Sequence, residues 1–567
     1  MIKKEFPSFI ILLLFIFLSS KALFHHGFFR TIDDVTTVRI IHMAKELQRN
    51  EIIDNFPVRI ASDLSNNYGY PIYLFYAPLT YYIGALLMIV LKISHITATK
   101  WVYVFPLIFG PLLFYWATRK KLSIFPAIIA TCLYTFFPYR GWDTYIRGGV
   151  GEAWAMAFIP AMIGGIFSME KNKNNLGGLI FTSFVFLSVI SHHLAGLQAI
   201  MLVIIYGFIF HLKNKKFWKY FFLGIGLSSF YWLPIIFYLK IVRVTYIDVN
   251  AGNIIKHLIP LSDLIRINYQ DYDKKFSTIF FYLQLTGIIF FTLKLIFKKN
   301  KQINLNKKWI FFWGISGLIL YLLLSSSFGL FWSLTLPVSG LLQFPWRLLI
   351  LLSFIIPFFT GLTINYLNNH LIKLGFSLLI VIISLSFLPI FKPKEYSFFY
   401  EYKAEGPCAT TTWENEYLPI WVKECPKEKP KQDIEINPKT DFRIIKNSSI
   451  DLNVIYKSRK PAELIVYRYY FPGWKIIIDK KSYPIDYQFS KTGIFKTQIP
   501  AGQNEVRIFY TKTKIMWLAD ILTIFFLIIF LYNFSINLLK VIRKNNHLND
   551  KKYLKEIKNP KTLNKLK

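Results

Sequence analysis

Residues 6–20, FPSFIILLLFIFLSS, are apolar almost without a break, and so are 515–532, IMWLADILTIFFLIIFLY. Each run is close to the roughly 20 residues an α-helix needs to cross a bilayer. Comparable runs fill 7–24, 101–118, 122–137, 153–169, 176–190, 195–211, 217–239, 276–297, 309–326, 347–366, 372–391 and 515–540. The pattern predicts a polytopic α-helical membrane protein with about 12 transmembrane helices. The first run has MIKK ahead of it and no small-residue cleavage site behind, so it reads as a retained helix.

One more apolar stretch, 73–91 (YLFYAPLTYYIGALLMIVL), is ambiguous, and the lysines decide it. If it does not cross, then MIKK, RKK (119–121), MEKNKNN (169–175), HLKNKK (211–216), KKNKQINLNKK (298–308), NNHLIK (368–373) and the tail all share one side. If it crosses, RKK falls opposite MIKK. Short basic loops mark the cytoplasmic side. The stretch is therefore expected to be a re-entrant or interfacial helix on the outer side, where Pro78, Tyr73, Tyr76, Tyr81 and Tyr82 suit it. Both termini are then cytoplasmic, in a multi-pass protein of the plasma membrane.

The outer face receives 25–72, 138–152, Ser191–Leu194, 240–275, 327–346 and 392–514. In 392–514 the pattern changes to a period of two: Leu452, Val454, Tyr456, then Val506, Ile508, Tyr510, with a turn at Asp479–Lys481. That alternation predicts antiparallel strands in a β-sandwich-like domain. The expected division is a transmembrane domain over 1–391, whose first outer loop (25–100) includes juxtamembrane helices; a β-rich extracytoplasmic domain over 392–514; a last membrane helix over 515–540; and a basic cytoplasmic tail over 541–567, frayed or disordered.

Charge adds little to the fold but narrows the function. The 567-residue chain carries 67 Lys and Arg against 32 Asp and Glu, a net +35. The excess lies in the short connectors and the tail, as membrane topology requires, so nucleic acid is not an expected partner. No P-loop or dinucleotide fingerprint is present. Of three cysteines, Cys132 lies in an apolar run; Cys408 and Cys425 share the β-rich segment, either as a disulfide or as two thiols.

Acids are scarce, yet Asp33 and Asp34 are adjacent just beyond the first apolar run. One reading is a capping box, Thr-x-x-Asp, that starts the helix VTTVRIIHMAKELQ. The other is a carboxylate facing a cavity, able to take a proton from a hydroxyl or to help hold Mg²⁺ or Mn²⁺. The loop YRGWDTYIRGGVGE (139–152) adds Arg140, Asp143, Arg147 and Glu152. Its two arginines suit a phosphate or pyrophosphate, or else a structural Arg–Asp network. His192, beside His193, is either a satisfied polar group or a ligand. Arg347, in LQFPWRLL, is an interfacial anchor or a lipid-phosphate ligand. Tyr70 and Tyr76, in NNYGYPIYLFYAPL, line a sugar or polyprenyl groove or seat the interfacial helix.

The stretches DDVTTVRIIHMAKEL, FPVRI, YGYPIYLFYAPLTYY, YRGWDTYIRGGVGEAWA and LQFPWRLL together resemble the bacterial and archaeal membrane proteins labelled 6-pyruvoyl-tetrahydropterin synthase-related, over most of residues 1–400. No soluble pterin-enzyme core accompanies them. EYLPIWV (416–422) and RYYFPGWKIIIDKKSYPI…IPAGQNEVRIFY (468–510) resemble the outer domain of membrane proteins implicated in glycosylating lipoteichoic acid. Both groups look like the GT-C superfamily of glycosyltransferases. That resemblance implies a catalytic or metal-binding acid in the first outer loop, at Asp34 or Asp33, and a second-loop acid at Asp143 or Glu152. It implies a polyprenyl-phosphate-linked sugar as donor, a cell-envelope glycan or lipid as acceptor, and an inverting-type transfer among membrane lipids. The chain lacks an Asp-x-Asp in its first loop and any Trp-Trp-Asp-Tyr-Gly signature, which argues against protein N-glycosylation. The rival expectations are a transporter or flippase of lipid-linked sugars and a structural envelope protein.

Overall fold

The computed structural model describes residues 2–50, 55–171, 175–245, 254–266, 277–297, 306–339, 342–397, 408–412 and 414–557. Its principal helices are α1 (Ile2–Ser20), α2 (Thr36–Leu47), α3 (Leu79–Leu91), α4 (His95–Thr118), α5 (Ile124–Thr135), α6 (Val150–Lys171), α7 (Leu176–Ser191), α8 (His193–Phe210), α9 (Lys215–Leu227), α10 (Ser229–Tyr238), α11 (Ile279–Ile296), α12 (Lys307–Leu322), α13 (Leu349–Tyr366), α14 (His370–Ser386) and α15 (Lys514–Ile557).

Every predicted span has a helix, but among the described residues only 8 helices are long and apolar enough to cross a membrane, or up to 9 with α9 and α10 as one span bent by 66°. Helix length does not confirm the count of about 12, because several apolar helices are short. α5 and α7 have 12 and 16 residues, or about 18 and 24 Å at 1.5 Å per residue, under a core of about 30 Å. The stretch 73–91 is broken. A one-turn helix, Ile72–Phe75, ends at Tyr76, and Pro78 opens the 13-residue α3, about 20 Å long and too short to cross alone. α15 continues to Ile557, past residue 540. Parts of the predicted outer loop 240–275 lie outside the described residues.

α6 is the central helix. Its apolar window is 100% buried. It lies close to α7 because glycines remove side-chain bulk: a Cβ on Gly165 would come within 2.7 Å of the Phe181 backbone nitrogen, and one on Gly177 within 2.6 Å of that of Met169. α4 packs on its other side. Pro106 in α4 has no N–H to give the Val102 carbonyl, and the Trp154 indole of α6 supplies that hydrogen bond instead at 2.9 Å. α6 is thus held along its length, and its first turn is fixed.

The β-rich segment forms two sheets. The larger runs β4 (Phe442–Ser448), β5 (Asp451–Ser458), β10 (Gly502–Tyr510), β7 (Trp474–Ile478) and β8 (Lys481–Tyr483); the smaller runs β3 (Ile434–Asn437), β6 (Ala462–Val466) and β9 (Phe495–Ile499). The alternation read from the sequence sets the pairing: Val506 faces Val454 and Ile508 faces Leu452, and all four are buried. Asp479 and Lys480 both take positive φ, 45° and 69°, as a two-residue hairpin turn requires. A two-residue pairing of β1 (Phe28–Phe29) with β2 (Tyr396–Ser397) joins the first loop to the start of this segment.

A seam runs between the first loop and the β-rich segment. Cys408 and Cys425 are disulfide-bonded, which resolves the choice left open by the sequence. Beside Cys408, Thr411 Oγ1 accepts from Arg39 Nε at 3.0 Å and Thr412 Oγ1 meets Tyr70 Oη at 2.6 Å. Tyr417 stacks on Phe75 with ring centroids 5.1 Å apart.

Candidate functional site

The turn that holds Asp33 and Asp34 precedes α2, but it is not a capping box. The helix starts at Thr36, its N-cap is Val35, and no side chain caps it. The turn is held from the other side: the Ile32 and Asp33 amides donate to the carbonyls of Ile146 and Arg147 at 2.9 and 2.7 Å. First and second loops are therefore stapled backbone to backbone. Gly148 permits this approach. It sits at φ +85°, and a Cβ there would come 2.3 Å from Thr31 Oγ1.

The second loop folds as one turn of helix, Pro138–Trp142, followed by a π-helical turn, Asp143–Arg147. This places Asp143, Arg147 and Glu152 together. Glu152 lies in the first turn of α6, where the helix dipole favours an anion. Its carboxylate is fully buried and surrounded: Oε1 lies 2.8 Å from Arg147 Nη1, 2.9 Å from Arg347 Nε and 3.6 Å from His192 Nε2. Tyr139 Oη donates to Oε2 at 2.8 Å. Arg147 also reaches Asp143 Oδ1 at 3.2 Å through Nη1 and Asp33 Oδ2 at 3.4 Å through Nε. Arg347 donates Nη1 to the Leu342 carbonyl and to Gln343 Oε1. Each arginine keeps its Nη2 without a hydrogen bond among the described residues.

His192 separates α7 from α8. Its Nδ1 accepts from the Ala195 amide at 3.2 Å, so the ring proton sits on Nε2, the nitrogen facing Glu152. Burial holds the imidazole pKa well below its ordinary value, and the ring stays neutral. Asp143 shifts the opposite way. Burial, then the like charge of Glu152, raises its pKa well above the carboxylate range. Its Oδ2 is buried with no hydrogen-bond partner among the described residues. A raised carboxyl pKa contributes stability in full below the ordinary carboxylate value, and that contribution is lost as pH climbs through the raised value. Asp143→Asn, a mimic of the protonated acid, should therefore match wild type below the ordinary carboxylate range and exceed it in stability as pH rises above that range. Thermal unfolding across a pH series checks both.

The glycine after Gly148 is constrained by the same acid. A Cβ on Gly149 would come 2.2 Å from Asp143 Oδ1 and 3.0 Å from its Cγ, and that side chain is fully buried. Gly149→Ala should cost about 1–3 kcal/mol, as overpacking does. Melting of the variant beside Asp143→Ala/Gly149→Ala tests this; the double change removes the clashing oxygen and should recover part of the loss caused by Gly149→Ala.

The other predicted residues divide. Tyr76 borders the cluster, its ring 4.1 Å from the Arg39 guanidinium and edge-on to His192 and His193 at 6.5 and 6.0 Å. Arg140 does not join it. Its guanidinium donates to the carbonyls of Tyr134, Thr135 and Pro106 at 3.2–3.3 Å and lies 4.2 Å over the Tyr134 ring, tying the end of α5 to α4. Tyr70 is fully buried in the seam, its hydroxyl engaged by Thr412 and the Tyr417 amide. Both side chains act as structural ties in this fold. Arg39 was not singled out from sequence. It joins α2 to α3 through Tyr81 Oη at 2.8 Å and to the β-rich segment through Thr411.

Mg²⁺ or Mn²⁺ has limited support from side chains alone. Among the described residues no three His, Cys, Asp or Glu converge as a metal group, and Glu152 is engaged by its arginines and Tyr139. Mg²⁺ is often held by one or two carboxylates plus substrate phosphate, and Asp33 and Asp34 are the pair that would serve in that way.

The fold and this centre define a multi-span membrane protein with a buried acid–arginine cluster where its first two loops meet. The chain belongs to the 6-pyruvoyl-tetrahydropterin synthase related family of membrane proteins, whose domain profile matches residues 73–392. Among solved structures it is similar to arabinofuranosyltransferase AftD from Mycobacteria, at 12% identity and a TM-score of 0.45, over 68% of this chain and 26% of that one. A mutant form of the same enzyme gives 12%, 0.44, 69% and 28%. The chain thus spans about a quarter of the length of that enzyme. No curated protein matches it.

Proposed function

We propose that this protein is a GT-C-type membrane glycosyltransferase that moves a sugar from a polyprenyl-phosphate donor to an acceptor hydroxyl of a cell-envelope glycan or lipid on the extracytoplasmic side. The observation that carries the reading is the buried cluster, in which Arg147 and Arg347 share Glu152 and keep donors uncommitted, and Arg147 lies against the Asp33–Asp34 turn. A departing phosphate needs prepositioned cationic donors, and an attacking hydroxyl needs a base across from them.

In this mechanism Asp34 accepts the acceptor's hydroxyl proton. The oxygen forms its bond to the anomeric carbon as the carbon–oxygen bond to the lipid phosphate breaks. The phosphate leaves with the electron pair, and the Nη2 groups of Arg147 and Arg347 bind it. Asp33 anchors Arg147, Glu152 fixes both guanidiniums, and His192 presents its Nε2 proton to Glu152 as a positioning residue. The disulfide in the β-rich segment suits an oxidising, extracytoplasmic location.

The charged residues of the candidate spans lie within about two turns of a span end, which gives little support to a transporter, whose path is usually marked by ionisable groups deep in the membrane. Purified protein supplied with a labelled sugar on polyprenyl phosphate should transfer it to envelope acceptor. Transfer from nucleotide sugars alone, with lipid-linked sugars inert, would overturn the proposed donor.

A further inference from the structure

The segment FPVRI (56–60) lies outside this centre, and its arginine has an incomplete set of partners. Arg59 is 5% exposed. Its Nη2 lies 2.5 Å from Asp520 Oδ1, its Nη1 donates to the Pro57 carbonyl at 3.3 Å, and its Nε has no hydrogen-bond partner among the described residues. Lys512 Nζ lies 2.9 Å from the other oxygen of Asp520, and its side chain is 8% exposed. Two buried cations thus share one carboxylate.

The neighbouring charges do not make up the difference. Arg49 is matched by Glu46 at 3.0 Å and Asp63 at 2.9 Å, and Lys45 leans on Asp63 at 3.8 Å. Those four groups balance, whereas Arg59, Lys512 and Asp520 leave one positive charge over. Burying an unmatched cation is costly. A cleft, partly open to solvent, is lined by Arg59 and Lys512, by the Glu46–Arg49 pair, and by Val58, Ile60, Ile450 and Met516. It lies where β10 leads into α15, the last candidate span.

We infer that this cleft binds a phosphate ester, with Arg59 and Lys512 as its ligands. A phosphodiester carries the single negative charge that the group lacks. The guanidinium fork accommodates phosphate oxygens, and the ammonium binds them as a point charge. The four apolar side chains suit the carbon portion of the ester. A cleft at the head of a membrane helix is at headgroup depth, where a lipid is one source of the phosphate and a soluble phosphate ester is the other. The site does not depend on sugar transfer.

Native mass spectrometry of the delipidated full-length protein tests it with three probes: phosphatidylglycerol, diacylglycerol and glycerol 3-phosphate. Lys512→Met and Arg59→Met each leave a balanced cation–carboxylate pair, so neither strands a buried charge, and melting confirms that each is folded. Phosphatidylglycerol should bind and diacylglycerol should not. Each variant should weaken that binding about tenfold, the loss of roughly one charge-assisted contact. Displacement by glycerol 3-phosphate at equal concentration would support the site with a soluble ester as ligand; failure to displace would support a lipid. Equal retention of phosphatidylglycerol and diacylglycerol, or unchanged binding in both variants, would overturn the inference.

Discussion

Asp34→Asn should abolish sugar transfer and leave the folded protein intact. The carboxylate sits in the turn before α2, which is held by backbone bonds to the second loop. Asparagine keeps the shape of the side chain and removes its capacity to accept a proton. General-base catalysis is worth about 10²–10⁴-fold, so turnover should fall by at least that range while melting stays within about 0.5 kcal/mol of wild type. Asp33→Asn supplies the contrast. Its carboxylate lies 3.4 Å from Arg147, so its loss should loosen the arginine and reduce activity less than Asp34→Asn does. Full activity in Asp34→Asn, or equal loss in both variants, would contradict the roles assigned to the two acids.

The largest stability effect is expected at Glu152. Its one buried carboxylate meets Arg147, Arg347, Tyr139 and His192, contributed by three further segments of the chain. Glu152→Gln retains the size and the acceptor oxygen but takes from Arg347, 5% exposed, the one carboxylate it meets among the described residues, and leaves Arg147 with Asp33 and Asp143. Breaking a buried ion pair from one side costs about 3–5 kcal/mol, a large part of the 5–15 kcal/mol typical of a folded domain. The variant should melt well below wild type and be recovered in low yield. Melting of Glu152→Gln at the wild-type temperature would show that the arginines find other partners and that Glu152 does not organise the centre.

Much of the fold was legible from local pattern. Leu452, Val454 and Tyr456 alternate because one face of β5 is buried, and period two survives in any window of the sequence. Lysine parity predicts a stretch 73–91 that does not cross, and α3 is too short to cross alone. The number of spans was less legible, because hydropathy reports composition and not helix length: α5 is apolar enough for a span but has only 12 residues. The site was legible as a set of residue types. Its partition was not. Arg140 and Arg147 lie on one loop, yet the π-helical turn between them sends one to the carbonyls of α4 and α5 and the other to Glu152. The Arg347–Glu152 bond spans 195 residues, and no local spacing encodes it. Arg39 bonds Thr411 across 372 residues, so its place emerges only once the β-rich segment closes on the first loop.

The most direct test of the central claim uses the wild-type protein in sealed vesicles. A labelled polyprenyl-phosphate sugar is placed in one leaflet and an envelope acceptor is added on the same side. The account predicts label on the acceptor and release of polyprenyl phosphate in equal amounts. Labelled lipid that appears intact in the opposite leaflet, with the acceptor unlabelled, would contradict it and identify a transporter.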